Sequence, residues 1–346
     1  MIDRDLDTIV DSVGDTAWAG LLGARLFVTG GTGFIGRWLL ESLAAAERRH
    51  VLDVQTTILT RDPDAVARKA PHLAGHPAFR VVGGDVLTLA AEDGGFSHVI
   101  HAATDASAAL VANDPYAMFD TVVTGTRRVL NHAVANRAAR VLFLSSGAVY
   151  GAQPWEVTHV AEDWTGAPDC RDPRNTYAEA KRAAELLCAI AGKQHGLDVV
   201  TARIFALLGP MLSLDTHFAA GNFIRDAMAG RTITVQGAGT AVRSYLYAAD
   251  LTAWLWRMLL LAPAGATYNV GSEGAVSIAD LARRTAAVLG SAGHEVLGRP
   301  DPGWNPGRYV PSTAAIRREL GVRETVPLDE AIRRTAKWNG WIDGQG

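Results

Sequence analysis

Tyr177 and Lys181 are four residues apart, so in a helix both side chains lie on one face. The chain has seven tyrosines, and its lysines are Lys69, Lys181, Lys193 and Lys337. Random placement would give about 0.08 such pairs, so chance explains the spacing poorly. A phenol titrates at about pH 10, and a neighbouring ammonium lowers that pKa because it favours the phenolate. The pair therefore predicts proton transfer, with Tyr177 as general acid and base.

Ser146 ends a predicted buried strand that begins at Val141. Because α/β sheets bind ligands at the carboxyl ends of their strands, a hydroxyl there can bond the substrate oxygen that is oxidised or reduced. The alternative is a turn or helix cap, and Tyr177 downstream favours the catalytic role. The next residues, Gly147 and Ala148, carry no group that moves protons. Tyr177 is therefore the one evident proton-transfer group in these motifs.

Glycines recur at every third position in the segment that follows the first predicted strand and opens the first helix. This spacing permits a tight turn, close approach to a pyrophosphate, and tight packing of helix on strand, while the helix N-terminus supplies free N–H groups. The alternative is a glycine-rich turn without a ligand, and the strand and helix on either side favour the dinucleotide site. The predicted cofactor contacts in the turn are Gly30, Thr32, Gly33, Phe34, Ile35 and Gly36.

The end of the second predicted strand carries Thr60 and Arg61 where an acidic ribose ligand is expected. An arginine there can pair with a 2′-phosphate, which favours NADP over NAD; alternatively, Arg61 stacks on adenine or faces solvent. Asp85 and Val86 follow the third strand, where the carboxylate can accept from the adenine amino group or lie solvated in a loop. The sequence therefore predicts NAD(P), with a preference for NADP.

Short apolar runs alternate with longer amphipathic segments from about residue 24 onward. The runs have the length and composition of strands buried on both faces, as in a parallel sheet. We expect an α/β fold with a doubly wound parallel sheet and a smaller C-terminal α/β lobe. The predicted divisions are an N-terminal extension (1–23), a dinucleotide-binding domain (24–205 and 240–270) and a substrate-binding lobe (206–239 and 271–340).

The overall composition narrows the class of protein. With 346 residues and a net charge of −3, the chain is not expected to bind nucleic acid by bulk attraction. The longest apolar stretch, 251–264, is too short to span a bilayer, and the acidic N-terminus does not resemble a signal peptide. Its two cysteines, Cys170 and Cys188, lack metal-ligand spacing. These features predict a soluble cytoplasmic protein without a metal site.

Together these residues resemble the extended short-chain dehydrogenase/reductases, specifically the nucleotide-sugar epimerase/dehydratase family. The resemblance runs from about residue 24 to residue 337. Beyond the motifs above, it includes the run His101-Ala102-Ala103, Gly209-Pro210, Asn222-Phe223-Ile224, Arg243 to Leu251, and Tyr268-Asn269-Val270-Gly271. The family has a Rossmann domain and a smaller substrate lobe, as expected above.

The resemblance assigns roles to individual residues. It implies a catalytic triad of Ser146, Tyr177 and Lys181, with Lys181 also holding the nicotinamide ribose. Ala102 and Ala103 would line the cofactor. Asn222 and Arg243 stand at positions where relatives bind the diphosphate of a sugar nucleotide, and Arg308 is a further candidate. Arginine suits this role because it makes bidentate hydrogen bonds to phosphate oxygens. A homodimer through the helix of Tyr177 and the helix before the Ser146 strand is also implied.

The departures from the family narrow the reaction. Members that dehydrate hexoses carry Asp-Glu directly after the active-site hydroxyl, and members that decarboxylate a uronic acid carry Glu in the second of these positions. Gly147 and Ala148 occupy them here, so both reactions are disfavoured. An epimerase that oxidises and re-reduces its sugar is favoured narrowly over an NADPH-dependent 4-ketoreductase. A dinucleotide-sensing protein without chemistry is the least favoured, because such proteins typically lose the tyrosine or the lysine.

Overall fold

Strands and helices alternate through the first two thirds of the chain. The structure, a computed structural model, describes residues 2–92, 94–104, 113–215, 219–301 and 306–342. Its strands are β1 (Arg25–Thr29), β2 (Gln55–Thr60), β3 (Phe79–Gly83), β4 (His98–His101), β5 (Arg140–Ser146), β6 (Val199–Ile204), β7 (Leu207–Leu208), β8 (Ile233–Val235), β9 (Val242–Arg243), β10 (Leu246–Tyr247), β11 (Thr267–Val270), β12 (Val276–Ser277), β13 (His294–Val296) and β14 (Arg308–Tyr309).

The α-helices lie between these strands and at the N-terminus. They are α1 (Asp3–Val13), α2 (Asp15–Trp18), α3 (Phe34–His50), α4 (Pro63–Lys69), α5 (Pro71–Ala74), α6 (Pro115–Ala135), α7 (Thr176–His195), α8 (Ala219–Met228), α9 (Ala248–Leu261), α10 (Ile278–Leu289), α11 (Ala314–Leu320) and α12 (Leu328–Trp338). None of the described helices is long and apolar enough to cross a membrane.

Seven strands form one parallel sheet in the order β11-β6-β5-β4-β1-β2-β3. Strands β1 and β5 are buried along nearly their whole length, as expected of a parallel sheet covered on both faces. The register pairs Ser145 with Arg203 and Ser146 with Ile204, so β5 and β6 end side by side. The predicted doubly wound α/β fold is confirmed.

Helices cover both faces of the sheet. On one face, α6 and α7 pack together over Val99, Val141 and Phe143. On the other face, α3 and α9 pack over a core that includes fully buried Trp38 and Trp254. Burial on both sides fixes where each strand ends, and the strand ends carry the candidate site.

The N-terminal extension packs against α3 and α9. Its buried Asp5 accepts a hydrogen bond from Tyr247 Oη at 2.6 Å and pairs with Arg334 of α12 at 2.5 Å. This extension therefore joins the helices on one face of the large sheet to the C-terminal helix.

Short strands build the smaller part of the protein. β9 pairs with β12 and β14, β8 pairs with β13, and β7 pairs with β10. Helices α8 and α10 pack together beside β8. The division into two lobes at the predicted boundaries stays a prediction. Residues 216–218 and 302–305 of the predicted substrate lobe lie outside the described residues.

Candidate active site

The glycine turn joins β1 to α3 and leaves no room for larger side chains. Gly30 has a φ of 72°, and a Cβ built on it would lie 2.5 Å from the carbonyl carbon of Ala102. A Cβ on Gly36 would overlap the carbonyl oxygen of Gly30. These contacts pack the turn tightly against the residues after β4 and pack α3 against the turn. The N-terminus of α3 supplies free N–H groups, so the turn fits the pyrophosphate of a dinucleotide.

A cleft of about 420 Å³ opens beside this turn, at the carboxyl ends of β1, β2 and β4. Most of the predicted cofactor contacts line it, namely Gly30, Thr32, Gly33, Arg61, Asp85, Val86, Ala102 and Ala103. The predicted contacts Phe34, Ile35 and Gly36 instead lie in the first turn of α3 and are not among its lining residues. Lys69 and Thr104 also line the cleft. Sequence reasoning missed both, because neither stands in a recognisable motif.

The acidic side chains at the adenosine end of this cleft are already engaged. Asp62 caps α4 by accepting from the Ala65 N–H at 3.0 Å, and it pairs with Arg68 at 2.7 Å. The hydrogen bond from Arg68 lowers the pKa of Asp62, so this carboxylate is ionised but occupied. Asp85 accepts from the Leu87 N–H at 2.9 Å. Neither carboxylate is thus as available to a ribose as an unpaired acid would be.

Lys181 is buried within α7, behind the end of β5. Its Nζ donates to Thr104 Oγ1 at 2.9 Å and to the Leu144 carbonyl at 2.6 Å, and it lies 6.0 Å from the Tyr177 ring centroid. Burial lowers the pKa of Lys181 to about 7, against the opposing effects of Cys188 and Glu185. The Thr104 contact brings Lys181 to the edge of the cofactor cleft.

The Ser146 hydroxyl lies at the end of β5, next to two tyrosines. Its Oγ accepts from the Ala148 N–H at 3.1 Å and lies 3.4 Å from Tyr309 Oη. Burial raises the pKa of Tyr177, and a hydrogen bond from Ser146 opposes this effect. The structure therefore brings Ser146, Tyr177 and Lys181 together, as the sequence predicts, and adds Tyr309.

A partly buried ion pair holds the strand behind the serine. Glu185, one turn after Lys181, accepts from Ser145 Oγ at 2.6 Å and from Arg203 NH2 at 2.7 Å. Arg203 also donates to Tyr150 Oη at 2.8 Å. A paired and hydrogen-bonded charge of this kind fixes the relative positions of α7, β5 and β6, on which the triad depends. Sequence reasoning missed Glu185, although the four-residue spacing after Lys181 is visible.

A second cleft, of about 910 Å³, lies among α8, β8 and the loop after it. The predicted substrate residue Asn222 lines it. Three arginines that sequence reasoning missed also line it, Arg225, Arg231 and Arg299. Arginines suit an anionic ligand because their planar donors match phosphate oxygens.

The two other predicted substrate arginines lie on neighbouring strands. Arg243 NH1 donates to the carbonyls of Val242 at 2.8 Å and Gly307 at 3.2 Å. Arg308 stacks over the Trp155 ring, 4.5 Å from its centroid. Successive side chains of a strand point to opposite faces, so Tyr309, and not Arg308, faces Ser146. Neither arginine lines the second cleft, and their substrate roles stay predictions.

Residues 26–271 match the model of the NAD-dependent epimerase/dehydratase family. The chain belongs to this family. Similar sequences include UDP-glucuronic acid decarboxylase 6 of Arabidopsis thaliana, which is 31% identical over 89% of this chain and 86% of the relative. UDP-glucuronic acid decarboxylase 1 of Xenopus tropicalis is 30% identical over 90% of this chain and 71% of that protein. dTDP-glucose 4,6-dehydratase of Streptomyces niveus is 27% identical, covering 91% and 92%.

Solved structures of other proteins share the fold of this chain. UDP-glucose 4-epimerase of Thermotoga maritima superposes with a TM-score of 0.76 at 18% identity, covering 91% of this chain and 98% of the other. UDP-N-acetylglucosamine 4-epimerase of Methanobrevibacter ruminantium gives 0.78 at 22% identity, covering 91% and 98%. The predicted assignment to the extended short-chain dehydrogenase/reductases, as an NAD(P)-dependent enzyme, is confirmed.

Proposed function

We propose that the protein is an epimerase that acts on a nucleotide-activated sugar by transient oxidation. The observation that carries this proposal is the end of β5, where the Ser146 hydroxyl is followed by Gly147 and Ala148. The described groups that hydrogen-bond Ser146 Oγ are the Ala148 N–H and the phenols of Tyr309 and Tyr177, and none of them is a carboxylate. Loss of water or of carbon dioxide by the usual acidic groups is therefore disfavoured.

In this proposal each residue of the triad has a separate role in a reversible oxidation. Tyr177 takes the proton of the sugar hydroxyl and later returns it, while Ser146 bonds the same oxygen. Lys181 holds the ribose and favours the Tyr177 phenolate when it carries its proton. The nicotinamide, when bound, supplies the reversible hydride acceptor. Return of the hydride to the opposite face of the sugar carbon inverts its configuration.

Two other reactions have support from a specific observation. An NADPH-dependent 4-ketoreductase would also need the triad alone, and Arg61 and Lys69 in the cofactor cleft favour it. A decarboxylase or dehydratase is favoured by the names of the similar sequences. Residues 147 and 148 carry no carboxylate, and this counts against a decarboxylase or a dehydratase. We give it more weight than the 30% identity to a decarboxylase.

The cofactor cleft supports a preference for NADP. Arg61 and Lys69 line it, and the Arg37 guanidinium donates to the Lys69 carbonyl at 3.5 Å. Asp62, the acid nearest the end of β2, is occupied by Ala65 and Arg68. Positive charge beside an acid that is already paired suits a 2′-phosphate better than a free 2′-hydroxyl.

The second cleft is the proposed site of the substrate's nucleoside diphosphate, as Asn222 and its three arginines suggest. Arg243 and Arg308 are retained as candidate diphosphate ligands.

The outer faces of α6 and α7 support the proposed homodimer. Four large apolar side chains are exposed on them, Tyr116 at 85%, Phe119 at 40%, Leu186 at 62% and Ile190 at 40%. Exposed apolar side chains on packed neighbouring helices are typical of an interface. Cys170 and Cys188 are both free, which suits the proposed cytoplasmic location.

One experiment separates the candidate reactions. A sample of the purified protein is denatured to identify any bound cofactor. The native protein is then incubated with a panel of nucleotide sugars, which includes UDP-glucuronic acid, and with the 4-keto forms of these nucleotide sugars. Retained cofactor and an epimeric product without net redox change are expected. Stoichiometric NADPH consumption would show that the enzyme is a reductase and not an epimerase. Release of carbon dioxide, or formation of a 4-keto-6-deoxy product, would contradict the epimerase and the reductase alike.

A further inference from the structure

The Ser146 hydroxyl has a limited set of hydrogen-bond positions. A serine oxygen offers two lone pairs and one proton. The Ala148 N–H uses one lone pair, at 3.1 Å. The second lone pair and the proton remain for Tyr177, Tyr309 and a substrate oxygen. The direction of the proton decides whether Ser146 can donate to that oxygen, and Tyr177 cannot fix it, because its own proton moves to and from the substrate.

Tyr309 is the described side chain that can settle this choice. Its phenol has a single proton and two acceptors within reach, the Ile204 carbonyl at 3.3 Å and Ser146 Oγ at 3.4 Å. Burial raises the pKa of Tyr309, so the group stays a neutral phenol and keeps that proton. Tyr177 and Arg243 are the other titratable groups that act on it from α7 and β9, and Tyr150 acts from the turn after β5.

The surroundings of Tyr309 hold the ring in place. Phe205 stacks against it with ring centroids 4.5 Å apart. β14 pairs with β9 so that Tyr309 lies opposite Arg243. The ring of Phe205 reaches this position because residue 147 has no side chain. Packing on several sides gives the phenol a fixed direction, which is what a positioning group requires.

We propose that Tyr309 is a positioning residue that donates its proton to Ser146 Oγ when substrate binds. Both lone pairs of Ser146 are then filled, so its own proton has to point to the substrate oxygen. In the resting protein the phenol contacts both the Ile204 carbonyl and Ser146 Oγ. This role rests on the proposed function of the triad, and it holds for an epimerase and for a ketoreductase, because both pass the substrate oxygen through Ser146.

A double-mutant cycle tests whether Tyr309 acts through the serine. We expect Tyr309→Phe to lower kcat about tenfold and to change KM less than twofold, because it removes one hydrogen bond that matters in the transition state. On a Ser146→Ala background the same change should have almost no effect. An equal loss in both backgrounds, or no loss in the first, overturns the proposal.

Tyr268→Phe is the matched control, since its buried tyrosine lies on β11 and donates to Glu319 instead of the triad. It should lower stability without changing kcat. A measurement without turnover separates this proposal from the proposed function. In NMR spectra of resting protein with tyrosine labelled at Cζ, Ser146→Ala should shift the Tyr309 signal and leave that of Tyr268 in place. An unshifted Tyr309 signal overturns the positioning role, whereas a shift without any turnover of nucleotide sugars counts against the proposed function alone.

Discussion

The ring of Phe205 occupies the space that a side chain on residue 147 would need. A Cβ built on Gly147 would lie 2.5 Å from Cζ of Phe205, far inside the normal carbon–carbon contact of about 3.5 Å. Gly147 does not have a positive φ, so packing and not backbone conformation requires the glycine here. The same ring stacks on Tyr309. The absence of an acid after Ser146 is thus part of how this site is packed.

Gly147→Ala should therefore destabilise the protein. Phe205 has to move to admit the methyl group, and overpacking of this kind costs about 1 to 3 kcal/mol. Urea unfolding measures the free energy of unfolding. Gly20→Ala is the control, because a Cβ there meets no atom within 4 Å, and its stability should change by less than about 0.5 kcal/mol. Equal stability of the two variants would show that Phe205 is free to move aside.

Local patterns in the sequence predict the fold and the triad well. The apolar runs give the strands, and the spacing of Gly30 and Gly33 or of Tyr177 and Lys181 is fixed within one turn or helix. Tyr309 and Lys69 carry no such pattern, because their roles depend on strands and helices that meet only in the folded chain. The contact of Asp5 with Arg334 spans 329 residues and has no local signal at all.

Tyr177→Phe should remove most turnover while leaving the fold intact. The variant lacks the phenol oxygen that takes and returns the substrate proton, and loss of a general acid/base lowers kcat by about a hundredfold to ten-thousandfold. Steady-state assays with the substrate found in the panel measure the effect. Tyr116→Phe is the control, since Tyr116 is 85% exposed on α6. Full activity of Tyr177→Phe would remove the central claim of the mechanism.

Arg61→Ala should weaken NADPH binding and leave NADH binding almost unchanged. A charge-assisted bond to the 2′-phosphate contributes about 1.5 to 3 kcal/mol, which corresponds to roughly a tenfold to hundredfold change in Kd. Lys69→Ala should act in the same direction with a smaller effect, because an ammonium pairs with phosphate as a point charge. Fluorescence titration of each cofactor measures both. Arg80→Ala, an exposed position on β3 outside the cleft, is the control. Parallel losses for NADH and NADPH would refute the preference for NADP.

Leu186→Glu should convert the proposed dimer into a monomer. Leu186 is 62% exposed on α7, and a carboxylate there would be buried against the partner helices. Sedimentation velocity at micromolar protein concentration reports the mass. Leu22→Glu is the control, since Leu22 is 69% exposed in the N-terminal extension, which packs on the side of the sheet opposite α6 and α7. A wild-type protein that sediments as a monomer would contradict the proposed dimer. A Leu186→Glu variant that still dimerises would show that the interface lies elsewhere.

Lys181 should make stability rise with pH between about pH 7 and the pKa of an unfolded lysine. Burial lowers its pKa to about 7, whereas an unfolded lysine titrates at about 10.4. Between these values the unfolded chain binds one proton more than the folded chain, so the free energy of unfolding rises with pH by up to about 1.4 kcal/mol per unit. This contribution is complete above the unfolded pKa and is lost as the pH falls toward 7.

The comparison that isolates this contribution is wild type against Lys181→Met, measured by urea unfolding of cofactor-free protein at about pH 7, 8 and 9. The difference in unfolding free energy, wild type minus variant, should increase with pH, because only the wild type has the titrating group. Lys193→Met removes an exposed lysine from the last turn of the same helix and should give a difference that stays constant. If the Lys181 difference is also constant, the lysine keeps its proton when buried, and Tyr177 then has a permanent ammonium beside it.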